Sequence, residues 1–216
     1  MIVYHSSGLS GPQIRQAAQI QIEELPEGFL SSLGLQALAL IFEHAAVSEY
    51  GILVVAVQEE RVVGYVMGAT DVSRFYMDFM RRKTFQALVH FLPRLISISR
   101  LKKALETLLY PARRERPQGP SVRAELLDLA VSGPYQGQGV AQELFQRLVR
   151  EFARRGVGSF QIPTSQGLHR AHRFYEKMGA RRIGSLEVHR GEQTYIYQYD
   201  IHIDPSSGTD ALHPRP

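Results

Sequence analysis

The residues whose types and spacing point most directly to chemistry are Tyr135-Gln136-Gly137-Gln138-Gly139-Val140-Ala141. They lie between a strand-like run, Ala124 to Val131, and a stretch in which Leu144, Phe145, Leu148, Val149 and Phe152 recur at helical spacing. A glycine-rich turn that feeds a helix leaves several backbone N–H groups unpaired and aimed at one point, backed by the positive end of the helix dipole. Such a turn is an anion site, and a phosphate-bearing ligand is its usual guest. Glycine at 137 and 139 lets the backbone approach phosphates closely and take a positive φ.

What the segment lacks narrows the ligand. No Lys-Ser/Thr pair follows the second glycine, which excludes a nucleoside-triphosphate P-loop. The dinucleotide fingerprint requires a third glycine three residues after Gly139, where this chain has Gln142. What remains is Gln136-x-x-Gly139-x-Ala141 directly after Leu129-Ala130-Val131.

That combination resembles the acetyl-CoA signature of the GNAT superfamily of N-acetyltransferases. Downstream, Ala171-His172-Arg173-Phe174-Tyr175-Glu176-Lys177-Met178-Gly179-Ala180 is similar to the family's second signature, a helix ending in Tyr-Glu-Lys-x-Gly. The resemblance runs from about Ala124 to Ile201, and Phe75 to Pro120 lies outside it. It implies acetyl-CoA as co-substrate, held by Leu129, Ala130, Val131, Gln136, Gly137, Gln138, Gly139, Val140 and Ala141. It also implies Tyr175 as the general acid at the sulfur and the N–H near Val131 as the group that polarises the thioester carbonyl. The strand from Ala124 would splay from the one at Phe160 to Thr164 to admit the pantetheine arm.

For the base, strand alternation puts residues 125, 127, 129 and 131 on one face, which favours Glu125 over Asp128. The offset of Glu125 before Leu-Ala-Val resembles that of the glutamate of histone-type members. Ordered water is the alternative. Leu168 stands where the family often has Asn, and Pro163 interrupts a strand. His169 and His172 have i,i+3 spacing but no third ligand, so no metal is expected.

The elements that must position these groups follow from periodicity. The pattern predicts strands at Ile2–His5, Ile52–Val57, Val62–Thr70, Ala124–Val131, Phe160–Thr164, Arg181–Val188 and Thr194–Ile201. Helices are expected over Pro12–Ile22, Leu30–Glu49, Gln138–Arg154 and Ala171–Lys177. The fold class is α/β: a single GNAT-like domain over 1–203, with a mixed, mostly antiparallel sheet of about seven strands and flanking helices. A helical basic insertion at 74–120 precedes the central strand, with helices at Arg74–His90 and Arg94–Tyr110, and 204–216 reads as a disordered tail.

Composition bounds the setting. A chain of 216 residues without cysteine has no disulfides, thiolate nucleophile or cysteine-ligated zinc. No apolar run reaches the roughly 20 residues of a membrane span and no signal-peptide pattern opens the chain, so a cytoplasmic enzyme is expected. Net charge is +4, yet Asp71 to Pro120 alone holds eleven basic residues against four acidic. That segment is either a solvated basic face or a surface for an anionic partner. Nucleic acid is not expected, because no basic-aromatic module accompanies the charge. The reading is acetyl transfer by direct attack of a primary amine, on a small molecule or amino sugar, with an anionic acceptor and a homodimer left open. A protein or peptide acceptor, a longer acyl donor, and a non-catalytic acyl-CoA-binding regulator are the alternatives.

Overall fold

The computed structural model describes residues 1–26, 28–91, 122–189 and 192–202. The second helix and the Pro/Arg-rich end of the insertion, with the tail, lie outside them. Seven strands form one sheet in the order β1-β2-β3-β4-β5-β7-β6. They are β1 (Val3–His5), β2 (Gly51–Gln58), β3 (Arg61–Ala69), β4 (Glu125–Val131), β5 (Ser159–Ser165), β6 (Arg181–His189) and β7 (Glu192–Asp200). All neighbours are antiparallel except β4 and β5. The expected mixed, mostly antiparallel α/β fold is therefore the observed one.

Helices cover both faces. On one lie α1 (Gly11–Glu24), α2 (Phe29–Ser32), α3 (Leu35–Val47) and α4 (Val72–Phe91); on the other, α5 (Val140–Arg154) and α6 (His169–Lys177). Helix α1 starts at Ser10 in a capping box: the Ser10 hydroxyl accepts the Gln13 N–H while the Gln13 side chain accepts that of Ser10. The continuous helix expected over Leu30–Glu49 is instead two, α2 and α3. Gly34 lies between them at φ 81°, a left-handed conformation that a helix interior does not admit.

The β2–β3 hairpin turns on Glu59 and Glu60, both at positive φ, the geometry that matches strand twist in a two-residue connection. Against β3, α5 presents Leu144, Leu148 and Phe152, all buried, in the register that the helical spacing predicts. The approach is close because β3 has glycine there: a Cβ on Gly68 would lie 2.8 Å from Leu148 and 2.9 Å from Phe152.

Two irregularities shape the middle of the sheet. The β3–β4 ladder shifts register between Met67 and Gly68, so that Leu127 is an extra residue in β4. The parallel β4–β5 ladder has a single rung, Glu125 opposite Gln161, and beyond it the strands part.

Candidate active site

The glycine-rich loop leaves β4 through a short 3-10 turn, Gly133–Tyr135, and enters α5 at Gly139. Gly137 and Gly139 take φ of 75° and 83°, and a Cβ on either would meet nothing within 4 Å, so the space beside the backbone is open. No side chain caps α5. Among the described residues, the backbone N–H groups of Gly137 through Gln142 have no acceptor within the protein. Six donors around one helix start are what a pyrophosphate fits. Gln138 turns its amide onto the Pro134 carbonyl at 2.8 Å, which stiffens the turn rather than filling that space.

The parted strands supply the second feature. The Gln161 N–H donates to the Ala124 carbonyl at 2.9 Å, so odd residues of β5 direct their N–H towards β4. At Pro163 that N–H would meet the gap, and proline has none to leave unpaired. Pro163 thus fits the strand because the splay begins before it. On β4, the Ser132 N–H donates to the Val63 carbonyl at 2.9 Å, which directs the neighbouring Val131 N–H away from β3 into the gap.

The bulge corrects the alternation expected along β4. Residues 125, 127, 129 and 131 do not share a face: Leu127 and Ala130 pack with α1, α3 and α4, whereas Leu126, Leu129 and Val131 pack with α5 and α6. One extra residue at 127 inverts the parity, so Glu125, opposite Ala69, and Asp128, opposite Met67, lie on the same face. Asp128 accepts a hydrogen bond from the Tyr65 hydroxyl at 3.0 Å, and Tyr65 is fully buried. Burial pushes the Asp128 carboxyl up to about 6, against the opposing effect of the Tyr65 hydroxyl and the Leu129 N–H, which both favour the anion. Neither Tyr65 nor its pairing was foreseen, since 63 residues separate the two partners.

Tyr175 comes from α6 and is 6% exposed, with its ring against Phe145 and Phe174. Burial first, then the Asp128 charge, raises its hydroxyl above the ordinary phenol value, so it stays protonated. The same two causes act on Tyr76 of α4: burial leads, followed by the charges of Glu125 and Asp128. Tyr65, Tyr76, Asp128 and Tyr175 are therefore electrostatically one cluster, gathered from both faces where the sheet opens.

Other sequence candidates fall elsewhere. His172 is not a metal ligand: its Nε2 lies 3.0 Å from the Ser165 carbonyl and its Nδ1 3.1 Å from the Tyr197 hydroxyl. Among the described residues no group of three His, Cys, Asp or Glu is arranged to hold a metal, and no helix is long and apolar enough to cross a membrane. Of the insertion's arginines, Arg74 pairs with Asp71 and Arg82 with Asp78, while Arg81 is exposed.

The family model described as Acetyltransferase (GNAT) family matches residues 15–180, which spans both the loop and Tyr175. The chain belongs to the GNAT acetyltransferase family. Its co-substrate is acetyl-CoA, and it is an N-acetyltransferase. Comparison with curated proteins gives no match. Among solved structures, a GNAT-family acetyltransferase from Desulfovibrio desulfuricans has a TM-score of 0.61 at 13% identity, covering 94% of this chain and 100% of that one. An aminoglycoside 6'-N-acetyltransferase complexed with coenzyme A has 0.59 at 14%, covering 94% and 99%. The ribosomal-protein-S18-alanine N-acetyltransferase from Escherichia coli has 0.55 at 15%, covering 99% and 100%. At these identities the likeness speaks for the fold, and the acceptors in these names differ widely.

Proposed function

We propose that this GNAT acetyltransferase moves an acetyl group to a primary amine of a small molecule by direct attack, with Asp128 as base and Tyr175 as acid. The observation that carries the reading is the pairing of opposite tunings at one opening in the sheet. A carboxyl raised to about 6 is a competent base just below neutral pH. A phenol raised above its ordinary value holds its proton until a stronger base, the departing thiolate, takes it. Glu125 shares the face with Asp128 and is the second candidate for the base.

In this scheme Asp128 takes a proton from the amine as its nitrogen attacks the thioester carbonyl carbon. The Val131 N–H steadies the developing oxyanion, and Tyr175 protonates the sulfur as the C–S bond breaks. The N–H groups of Gly137 to Gln142 hold the pyrophosphate. Leu129, Ala130 and Val131 line the pantetheine arm, and Val140 and Ala141 complete the helix start.

A small-molecule amine is favoured by the presence of aminoglycoside acetyltransferases among the structural likenesses. A protein N-terminus is the second reading, suggested by the S18-alanine enzyme. Screening amines, amino sugars and N-terminal peptides for acetyl-CoA-dependent thiol release separates the two. Turnover with peptides alone would reverse the order, and release with none of them would remove all three acceptor classes from the reading.

A further inference from the structure

Helix α1 lies on one face of the sheet and the loop's helix, α5, on the other, yet a side chain of α1 reaches the loop that leads into α5. Glu24, the last residue of α1, reaches the start of the glycine-rich loop. One carboxylate oxygen accepts the Gly133 N–H at 2.8 Å, and the other accepts the Gln136 side-chain amide at 2.9 Å. The remaining amide hydrogen of Gln136 goes to the Val131 carbonyl at 2.9 Å. The backbone N–H of Gln136 is taken too, by the Gly133 carbonyl at 3.1 Å. Every donor of Gln136 is thus engaged inside the protein, and the residue braces the loop from within.

The placement of Glu24 is electrostatically unexpected. A carboxylate beside a site for phosphates repels the ligand, so on charge alone the position favours almost any other residue. Its two charge-assisted hydrogen bonds supply a compensating effect. They fix the entry of the loop at Gly133 and Gln136, the two points from which the run of free N–H groups at 137–142 departs. Among the described residues, the loop's other hydrogen bonds before α5 are local ones: Tyr135 N–H to Ser132 at 2.8 Å, Gln136 N–H to Gly133, the Gln136 amide to Val131, and the Gln138 amide to Pro134.

We infer that Glu24 is a positioning residue for acetyl-CoA: through Gly133 and Gln136 it holds the phosphate loop in its binding conformation without touching the ligand. The inference rests on the reading of 137–142 as the pyrophosphate site. A loop that must first be ordered binds with an affinity reduced by the fraction of time it is competent. Because the effect lies at the phosphates, CoA and acetyl-CoA suffer alike.

The test is calorimetric titration of the full chain with CoA and with acetyl-CoA. Glu24→Ala is expected to weaken both by about tenfold, with the thermal midpoint of the ligand-free protein unchanged. Glu24→Gln keeps an acceptor for the Gly133 N–H but sets its own NH2 against the Gln136 amide, so it is expected to recover part of the affinity, binding more tightly than Glu24→Ala and less tightly than the parent. Parental affinity in Glu24→Ala would overturn the inference. So would equal losses in both variants, since rescue by the neutral acceptor is what a brace requires. Gly139→Asp serves as the control on the underlying reading. If it binds normally, the loop is not the phosphate site; if it fails while Glu24→Ala binds normally, only the role of Glu24 falls.

Discussion

Replacing Asp128 with Asn separates what the carboxyl does for chemistry from what it costs the fold. Burial raises Asp128 from the ordinary carboxylate range up to about 6. That is a rise of about two pH units, and each unit is worth about 1.36 kcal/mol. The sign follows from proton binding: the folded protein holds this proton more tightly than the unfolded chain does. Its contribution is therefore neutral at low pH and becomes unfavourable as pH climbs from about 4 to about 6. Above that window the charge costs the fold up to about 3 kcal/mol. The side-chain amide of the Asp128→Asn variant would carry no charge at any pH and still accept the Tyr65 hydroxyl at its carbonyl. That amide would meet the Leu129 N–H less well, so a gain of about 1–3 kcal/mol at pH 8 is expected. At pH 5 the gain should be smaller by about 1.4 kcal/mol, the part of the charge cost that builds between pH 5 and pH 8.

Urea denaturation of the ligand-free parent and variant at pH 5 and pH 8 measures this directly, with the slope checked for constancy. In parallel, thiol release with an accepted amine should fall by about 10²–10⁴-fold in the variant. The acid limb expected of the parent near pH 6 should vanish with it. A variant more stable and less active, with stability that depends on pH in this sense, is the signature of a buried base. Two results refute the reasoning. Undiminished turnover hands the base to Glu125 or to water. A variant destabilised equally at both pH values shows that the Asp128 charge is not the strained element.

Tyr65→Phe removes the hydroxyl that favours the Asp128 anion, so the acid limb of kcat/KM should move to higher pH; an unmoved limb would separate Tyr65 from the base. Tyr175→Phe keeps the packing against Phe145 and should lower turnover by about 10²–10⁴-fold while acetyl-CoA affinity holds, as read by calorimetry and chemistry-limited rates. Gly139→Asp, forced to φ 83° and adding a negative charge at an uncapped helix start, should abolish acetyl-CoA binding in a folded protein. Paired removal of Arg81 and Arg82 should raise the KM of an anionic acceptor and leave that of a neutral amine unchanged. Arg82 is already tied to Asp78, so Arg81 should carry most of the effect.

Local features of the site were legible in the sequence because their signals are local. Gly137, Gly139 and the helical spacing of Leu144, Phe145, Leu148, Val149 and Phe152 lie within a few turns of one another, and the observed loop and α5 follow them. The same holds for Gly179, which ends the helix of Tyr175 at φ 93°. Gly34 carried a signal that was available and unused: a glycine between two leucine-rich runs marks a helix end as readily as a helix interior. What could not be read are the pairings that only the folded sheet makes. Tyr65 meets Asp128 across 63 residues and Glu24 meets Gly133 across 109, and neither leaves a trace in spacing.

The choice between Glu125 and Asp128 shows why parity alone misleads at such a site. Counting by twos assumes a regular strand, and β4 is regular only on either side of Leu127. The bulge does two things at once. It keeps Leu126 and Leu129 on the α5 face, so the core beneath the strand is unbroken, and it brings two carboxyls to the opposite face three residues apart. One of them, Glu125, lies at the last rung shared with β5; the other, Asp128, lies past it, where the strands have parted. The carboxyl beyond the last rung is the one beside an open gap with a free Val131 N–H, and it is the one whose charge reaches Tyr175. A base must approach an amine in that gap, so the bulge that defeats the sequence count is also what favours Asp128 over Glu125 for the role.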